Sequence, residues 1–310
     1  MSLLAPSLVA ALDPQTIVDA VGLGAVYALM AVGIGLVFGV LRLVNFAYGQ
    51  LIMAGAYALA FTSQAGWPVG LGIAIVFAVV ISLSLVMEFV VFRPLRTQSP
   101  AVMLVTTFAI AFLLQAVALL IDIRDGTIGE PATSVASLNQ AINVLGVDVR
   151  KVTIVAILVA ALTLGLLALL LGRTALGLQM RAASSDFWTA RLLGVRANTV
   201  IGLAVLLSAV LAAIVAVILT VQQPFVGPDF ALNSTIVVLV GVVVGGIDRL
   251  WTATLGGFAI GFASGVINGA LPTDKTVFLP SLVFALVIVV LLVRPAGLFA
   301  GGRSSLVERV

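Results

Sequence analysis

Few residues in this chain can do covalent chemistry. Among its 310 residues there is no cysteine and no histidine, which excludes thiolate nucleophiles, imidazole acid–base work and imidazole metal sites. No nucleophile–base constellation points to an intramembrane enzyme. No Gly-x4-Gly-Lys-Ser/Thr phosphate loop is present, so a nucleotide would have to be bound by another chain. What remains is recognition. Asn45, Tyr48 and Gln50 lie in LVNFAYGQL, and Gln222 and Gln223 precede Pro224. Their amides and phenol suit weak hydrogen bonds to a polar or zwitterionic solute. A third group is the polar stretch Gly172–Asn198, GRTALGLQMRAASSDFWTARLLGVRAN, whose charges are Arg173, Arg181, Asp186, Arg191 and Arg196. Each charge would cost roughly 2.5–3.5 kcal/mol at a bilayer centre, so this stretch lies in water or against another protein.

The elements that hold these groups must be read in lipid. The chain is 62% hydrophobic and 9% charged, with a mean hydropathy of +1.31, whereas soluble domains are about a quarter charged. Without water every backbone group must be paired internally, by helices or a closed barrel. The apolar runs are long and unbroken instead of alternating, which selects helices. They fall near 17–40, 44–62, 69–91, 101–121, 152–171, 199–221, 234–247, 252–270 and 277–294. The expected fold is therefore all-α and polytopic, with about eight or nine transmembrane or half-spanning helices. Residues 1–310 form a single transmembrane domain, with 172–198 a cytoplasmic loop within it. Arg93, Arg96, Arg173, Arg181, Arg191, Arg196, Arg294, Arg303 and Arg309 share one face if the N-terminus is outside and the C-terminus inside. Asp122, Asp125, Glu130, Asp148 and Asp229 then lie on the opposite loops. The first residues lack a cationic n-region, so no cleaved signal peptide is expected.

In the polar loop, Ser184 or Ser185 can cap a short helix, with Asp186 in its first turn and Gly194 ending it in a left-handed conformation. About eight or nine helical residues do not hold together alone in water. Something must bury Phe187, Trp188, Ala190, Leu192 and Leu193, and either the lipid interface or a groove on a soluble subunit can do so. At LVNFAYGQL, Asn45 can cap a helix that begins at membrane depth, where a break is tolerated only in protein or beside a cavity; a plain reversal at the cytoplasmic surface is the other reading. Gln222 and Gln223 lie at an outer mouth or in a solvated turn. Glycines at Gly22, Gly24, Gly33, Gly35, Gly39, Gly241, Gly245, Gly256, Gly257, Gly261 and Gly265 are expected to let helices approach closely. Glu88 is expected to snorkel to the interface beside Arg93.

GLQMRAASSDFWTARLLGV resembles the coupling loop of permeases from ABC importers for branched-chain amino acids, at Gly177, Arg181, Ala182, Asp186, Ala190, Leu193 and Gly194. GLGAVYALMAVGIGLVFGVLRLVNFAYGQLIMAGAY, VVVGGIDRLWTATLGGFAIG and RPAGLFAG extend the likeness over most of the chain. It is nearest to the smaller of the two permeases such systems pair. Family members often carry histidine at the position of Tyr48 and an acidic residue at that of Gln50, and both departures remove charge. The resemblance implies a translocation path for branched-chain or other hydrophobic amino acids, while relatives carry urea or short amides. It implies a second homologous permease, two cytoplasmic ATP-binding subunits that carry ATP-Mg, and an external substrate-binding protein. The chain itself binds no cofactor, catalyses no reaction and contacts no nucleic acid on this reading. Its place is the bacterial inner membrane, in contact with lipid. An autonomous secondary transporter or channel is the alternative class, which would ordinarily place an ion-coupling charge at mid-membrane.

Overall fold

The structure, a computed structural model, describes residues 13–41, 45–95, 98–144, 147–185, 187–246 and 249–294. Each apolar segment forms a helix: α1 (Pro14–Leu41), α2 (Tyr48–Gln64), α3 (Val69–Met87), α4 (Pro100–Asp125), α5 (Lys151–Arg173), α8 (Ala197–Gln222), α9 (Leu232–Gly245), α10 (Leu250–Ala270) and α11 (Leu279–Val293). Between α5 and α8 lie two short helices, α6 (Ala175–Ser185) and α7 (Phe187–Leu192). Among the described residues, seven helices are long and apolar enough to cross a membrane. Helices α2 and α9, of 17 and 14 residues, span only about 25 and 21 Å at 1.5 Å per residue, short of the roughly 30 Å hydrocarbon core. The all-α polytopic fold with full and partial spans is thus observed. Arg42, Arg96, Asp248, Arg303, Arg309 and most of the RPAGLFAG tail lie outside the described residues.

Helix α1 is apolar on every side and correspondingly buried nearly throughout. Its main partner is α10, which runs antiparallel to it. Along the seam Gly35 faces Leu250, Gly257 faces Ala31 and Tyr27, Gly261 faces Gly24, Gly265 faces Ala20 and Gly269 faces Thr16. Helix α9 packs on the other side of α10, where Gly241 and Gly245 meet Gly256 and Gly257 backbone to backbone. Helices α4, α5 and α11 leave most of their surface uncovered, as expected of walls that face lipid. Glycine packing is therefore the role of most of the expected positions, with one exception: a Cβ on Gly39 would meet nothing within 4 Å.

Helix α3 passes into a π-helical turn, Glu88–Phe92, before three more α-helical residues. Glu88 is buried there, not extended to an interface as expected. The widened turn is a local departure of the kind often found at functional positions.

The segment between α4 and α5 is folded. Strand β1 (Glu130–Pro131) pairs antiparallel with β4 (Phe225–Val226), which follows α8. Strands β2 (Ala141–Val144) and β3 (Val147–Arg150) form a hairpin leading into α5. Further bonds tie this cap to the bundle, among them Ala132 N–H to the Pro224 carbonyl (3.0 Å), Ser134 N–H to Ser63 Oγ (2.7 Å) and Asn139 Nδ2 to the Gln222 carbonyl (3.2 Å).

The seam makes an asymmetric prediction. A methyl on Gly256 would overlap the Gly241 carbonyl oxygen and Gly245, backbone atoms that cannot swing aside. Gly256→Ala should cost about 1–3 kcal/mol by overpacking. Gly39→Ala should be neutral or stabilise by about 0.5–1 kcal/mol. Unfolding of both variants in detergent checks the pair.

Candidate functional site

The backbone ahead of α2 turns inside the bundle. Asn45 is buried, and its Oδ1 accepts from Ala47 N–H at 3.1 Å while its carbonyl accepts from Tyr48 N–H at 3.3 Å. This is a side-chain-closed turn one step before the helix; the cap position itself is Ala47. Phe46 donates its N–H to Thr107 Oγ1 (3.5 Å) and sets its ring 4.6 Å from that of Phe108. Both partners lie about two turns into α4, so α2 starts at depth and not level with the end of its neighbour. Tyr48 is fully buried against Gly33 of α1, and Ser208 of α8 donates to the Gly33 carbonyl at 2.7 Å. Gly49 abuts Thr235 and Ala231, so the first turns of α2 and α9 meet. Gln50 is 1% exposed. Tyr48 Oη and Gln50 Oε1 have no hydrogen-bond partner among the described residues. Stranded buried polar atoms cost about 1–3 kcal/mol each, and such atoms mark a place where something polar can be received.

Gln222 and Gln223 stand apart from this group. Ser208 to Gln222 is about 21 Å along α8, which sets the two groups well apart. Gln222 is half-buried and its carbonyl holds Asn139, while Gln223 is exposed.

A polar network that the sequence reading missed lies beside the cap. Tyr57 of α2 donates its hydroxyl to both oxygens of Asp122 in α4, at 2.9 Å each, and Asp122 is 1% exposed. Gln64 Nε2 donates to Glu130 Oε2 (2.5 Å) and Thr127 to Glu130 Oε1 (3.0 Å). The charge pattern of the sequence puts Asp122 and Glu130 on loops, whereas Asp122 lies in α4 and both are buried. The available signal was that Asp122 continues the apolar run 101–121 without a break, so it belongs to the helix.

The basic stretch folds back as a helical hairpin on the end of α5. Thr174 Oγ1 accepts from Gly177 N–H at 3.1 Å and so caps α6. Gly177 rests on the backbone of Leu170 and Leu171, where any side chain would collide. Arg181 Nη1 donates to the Leu171 carbonyl. The expected cap at Ser184 or Ser185 is corrected: both residues are inside α6, and Ser184 Oγ donates to the Arg181 carbonyl at 2.9 Å. Thr174 starts α6, an additional helix ahead of the expected one, which is α7 (Phe187–Leu192). Ala182 is exposed on this helix, whereas Ala190 of α7 is buried within the chain. Gly194 has φ 91°, and Val195 N–H bonds the Ala190 carbonyl at 3.0 Å. That is the six-to-one closure of a Schellman cap, which favours glycine at the left-handed position. Leu192 and Leu193 are 88% and 81% exposed. Asp186 and the side chains of Phe187 and Trp188 lie outside the described residues.

Two outcomes follow from this geometry. Tyr57→Phe removes the donor to a buried carboxylate and should cost about 1–3 kcal/mol, read as a lower unfolding temperature; Asp122→Asn should recover part of that loss in the double variant. Gln50→Leu should leave stability unchanged or raise it, because it deletes a buried acceptor that has no partner.

Comparison with known proteins agrees with this architecture. The family described as branched-chain amino acid transport system / permease component matches residues 16–293. The chain is 30% identical to the high-affinity branched-chain amino acid transport system permease protein BraD of Pseudomonas aeruginosa over 311 residues, covering 96% of this chain and 97% of that one. It is 28% identical to LivH of Escherichia coli, a permease protein of the same description, over 313 residues and with the same coverage. Among solved structures, PsaBC from Streptococcus pneumoniae in complex with Fab superposes with a TM-score of 0.50 at 14% identity, covering 94% of this chain and 96% of that one. A metal-chelate type ABC transporter in an inward-facing conformation gives 0.50 at 17% identity, covering 90% and 86%. These structural likenesses bear on the fold alone. With the multi-pass helical bundle, the match along nearly its whole length establishes that the chain belongs to the permease components of branched-chain amino acid transport systems.

Proposed function

We propose that this chain forms the path by which an ATP-driven importer carries branched-chain or other hydrophobic amino acids across the bacterial inner membrane. ATP hydrolysis takes place on two separate cytoplasmic subunits that bind ATP-Mg. A second homologous permease completes the pore and an external binding protein delivers the substrate. Family membership and the relatives' substrate support this reading. The orientation is N-terminus outside and C-terminus inside. It is supported by the distribution of charge: Arg173, Arg181 and Arg249 gather at the α1 C-terminal end, while Asp19, Asp122 and Glu130 lie toward the other. Cations collect on the cytoplasmic face.

The observation that carries the coupling role is the exposed Leu192–Leu193 turn, braced by the Gly194 cap and by the seat of Gly177 on α5. Arg181, Ala182, Asp186, Phe187, Trp188, Leu193 and Gly194 make up the surface that an ATPase grips, while the buried Gly177 and Ala190 hold it in shape from beneath. Because α6 rests on the last turn of α5, a push on the hairpin is transmitted to a wall helix as a rigid-body shift. Within the membrane, Asn45, Tyr48 and Gln50 line the path, and Gln222 and Gln223 stand near its outer end. Uncharged, scattered hydrogen-bonding groups suit a zwitterion that must be released as readily as it is taken up.

Leu193→Asp should abolish co-purification of the ATPase subunits and lower uptake by more than about tenfold, a cost of roughly 1.4 kcal/mol or more, while the external binding protein still docks. Replacing Asp186 or Gly194 should uncouple ATP hydrolysis from uptake. Full uptake with Leu193 and Gly194 both replaced, or uptake driven by an ion gradient through the chain alone in liposomes, would overturn the assignment. For the path, Gln50→Leu should reduce uptake in a protein that is no less stable; unchanged uptake removes Gln50 from it.

A further inference from the structure

Helices α1, α5, α6 and α10 enclose a cleft of about 210 Å³ at the basic end of the bundle. Its walls include Leu36, Gly39, Leu167, Leu171 and Trp251, and among the described residues Arg181 is the charged one that lines it. We propose that this cleft holds one acyl chain of an anionic phospholipid, with the lipid phosphate against Arg181.

The cleft opens to the surface and its lining is mainly aliphatic and aromatic, which suits an apolar ligand better than a polar one. The access route favours a lipid over a cytosolic solute. Trp251 is 67% exposed at the cleft, as a ring at the membrane interface would be. The same helix α5 that supplies Leu164, Leu167 and Leu171 to the cleft exposes Leu158, Leu162, Leu166 and Leu169 on its other side. One wall of the cleft is thus a helix bathed in hydrocarbon. Arg173 is exposed at the end of α5, and the described residues that line the space include no acidic side chain. A cationic rim above an apolar slot between helices matches an anionic headgroup above its chain. Space exists because Gly39 presents no side chain: a Cβ there would meet nothing within 4 Å.

A seated chain would fill the gap between α6 and the central helix α1. It would stiffen the hairpin against the bundle. Binding itself does not depend on the ATPase-docking role; only its consequence for uptake does.

The full chain in nanodiscs of phosphatidylcholine doped with phosphatidylglycerol that bears a photoreactive acyl chain tests this. Cross-links should map to the α1 and α5 peptides containing Leu36 and Leu167. Gly39→Phe fills the slot and should lose those cross-links, with cooperative unfolding retained; should that variant misfold, Ala168→Phe fills the slot from α5. Arg181→Gln should reduce the preference for phosphatidylglycerol over phosphatidylcholine probes about fivefold while the apolar cross-links persist. Labelling spread evenly over the outer face of α5, labelling unchanged in the filled variants, or equal capture of both headgroups by the unmodified chain would overturn the proposal.

Discussion

In a bilayer, no water is released when two apolar helices meet, so their cohesion rests on how closely their atoms approach. The α1–α10 seam meets that constraint with small residues. Gly257, Gly261, Gly265 and Gly269 each present bare backbone to α1, and dispersion over so short a separation replaces the hydrophobic drive. Everything else hangs on this pair. Helix α9 is fastened to α10 by a second glycine contact, and its first turn is thereby delivered to α2.

That delivery matters because α2 and α9 are too short to span alone. Ends of helices in hydrocarbon would strand their backbone groups, and here they are covered by protein. Asn45 closes the turn ahead of α2, and Thr235 returns its hydroxyl to the Ala231 carbonyl at 2.7 Å. The result is a buried zone where Tyr48 and Gln50 keep unused hydrogen-bonding capacity. A packed scaffold thus surrounds a region that is deliberately under-satisfied. The opposite strategy holds at the cap, where Tyr57 and Gln64 answer Asp122 and Glu130 with direct bonds. Closed polar pairs fix the end beneath the cap, and open ones leave the interior able to respond.

At the basic end the hairpin translates this scaffold into a handle. Its two helices are too short to persist by themselves. They are held by local devices: the Thr174 cap, the Gly177 seat, the Arg181 bond to Leu171 and the Gly194 closure. A shape fixed from its own chain leaves the apolar tip at Leu192–Leu193 uncovered, so rigidity and exposure coexist in the same few residues.

The amino-acid sequence by itself determined the class of object, the positions of the nine apolar helices and the family, because long uncharged runs in lipid have only the helix available. It also placed the left-handed glycine at Gly194, since that signal is local. The tertiary structure alone decided where those helices stand. Periodicity says nothing about depth, so only packing against Thr107 and Gly33 shows that the Asn45–Gln50 turn is buried. Asp122 and Glu130 read as loop acids until partners distant in sequence closed around them. The start of α6 at Thr174 was set by the reversal of the chain onto α5, a contact that serine capping preferences at Ser184 cannot report. Local chemistry is written in neighbouring residues; depth, partnership and covered surface arise from contacts between residues far apart in the chain.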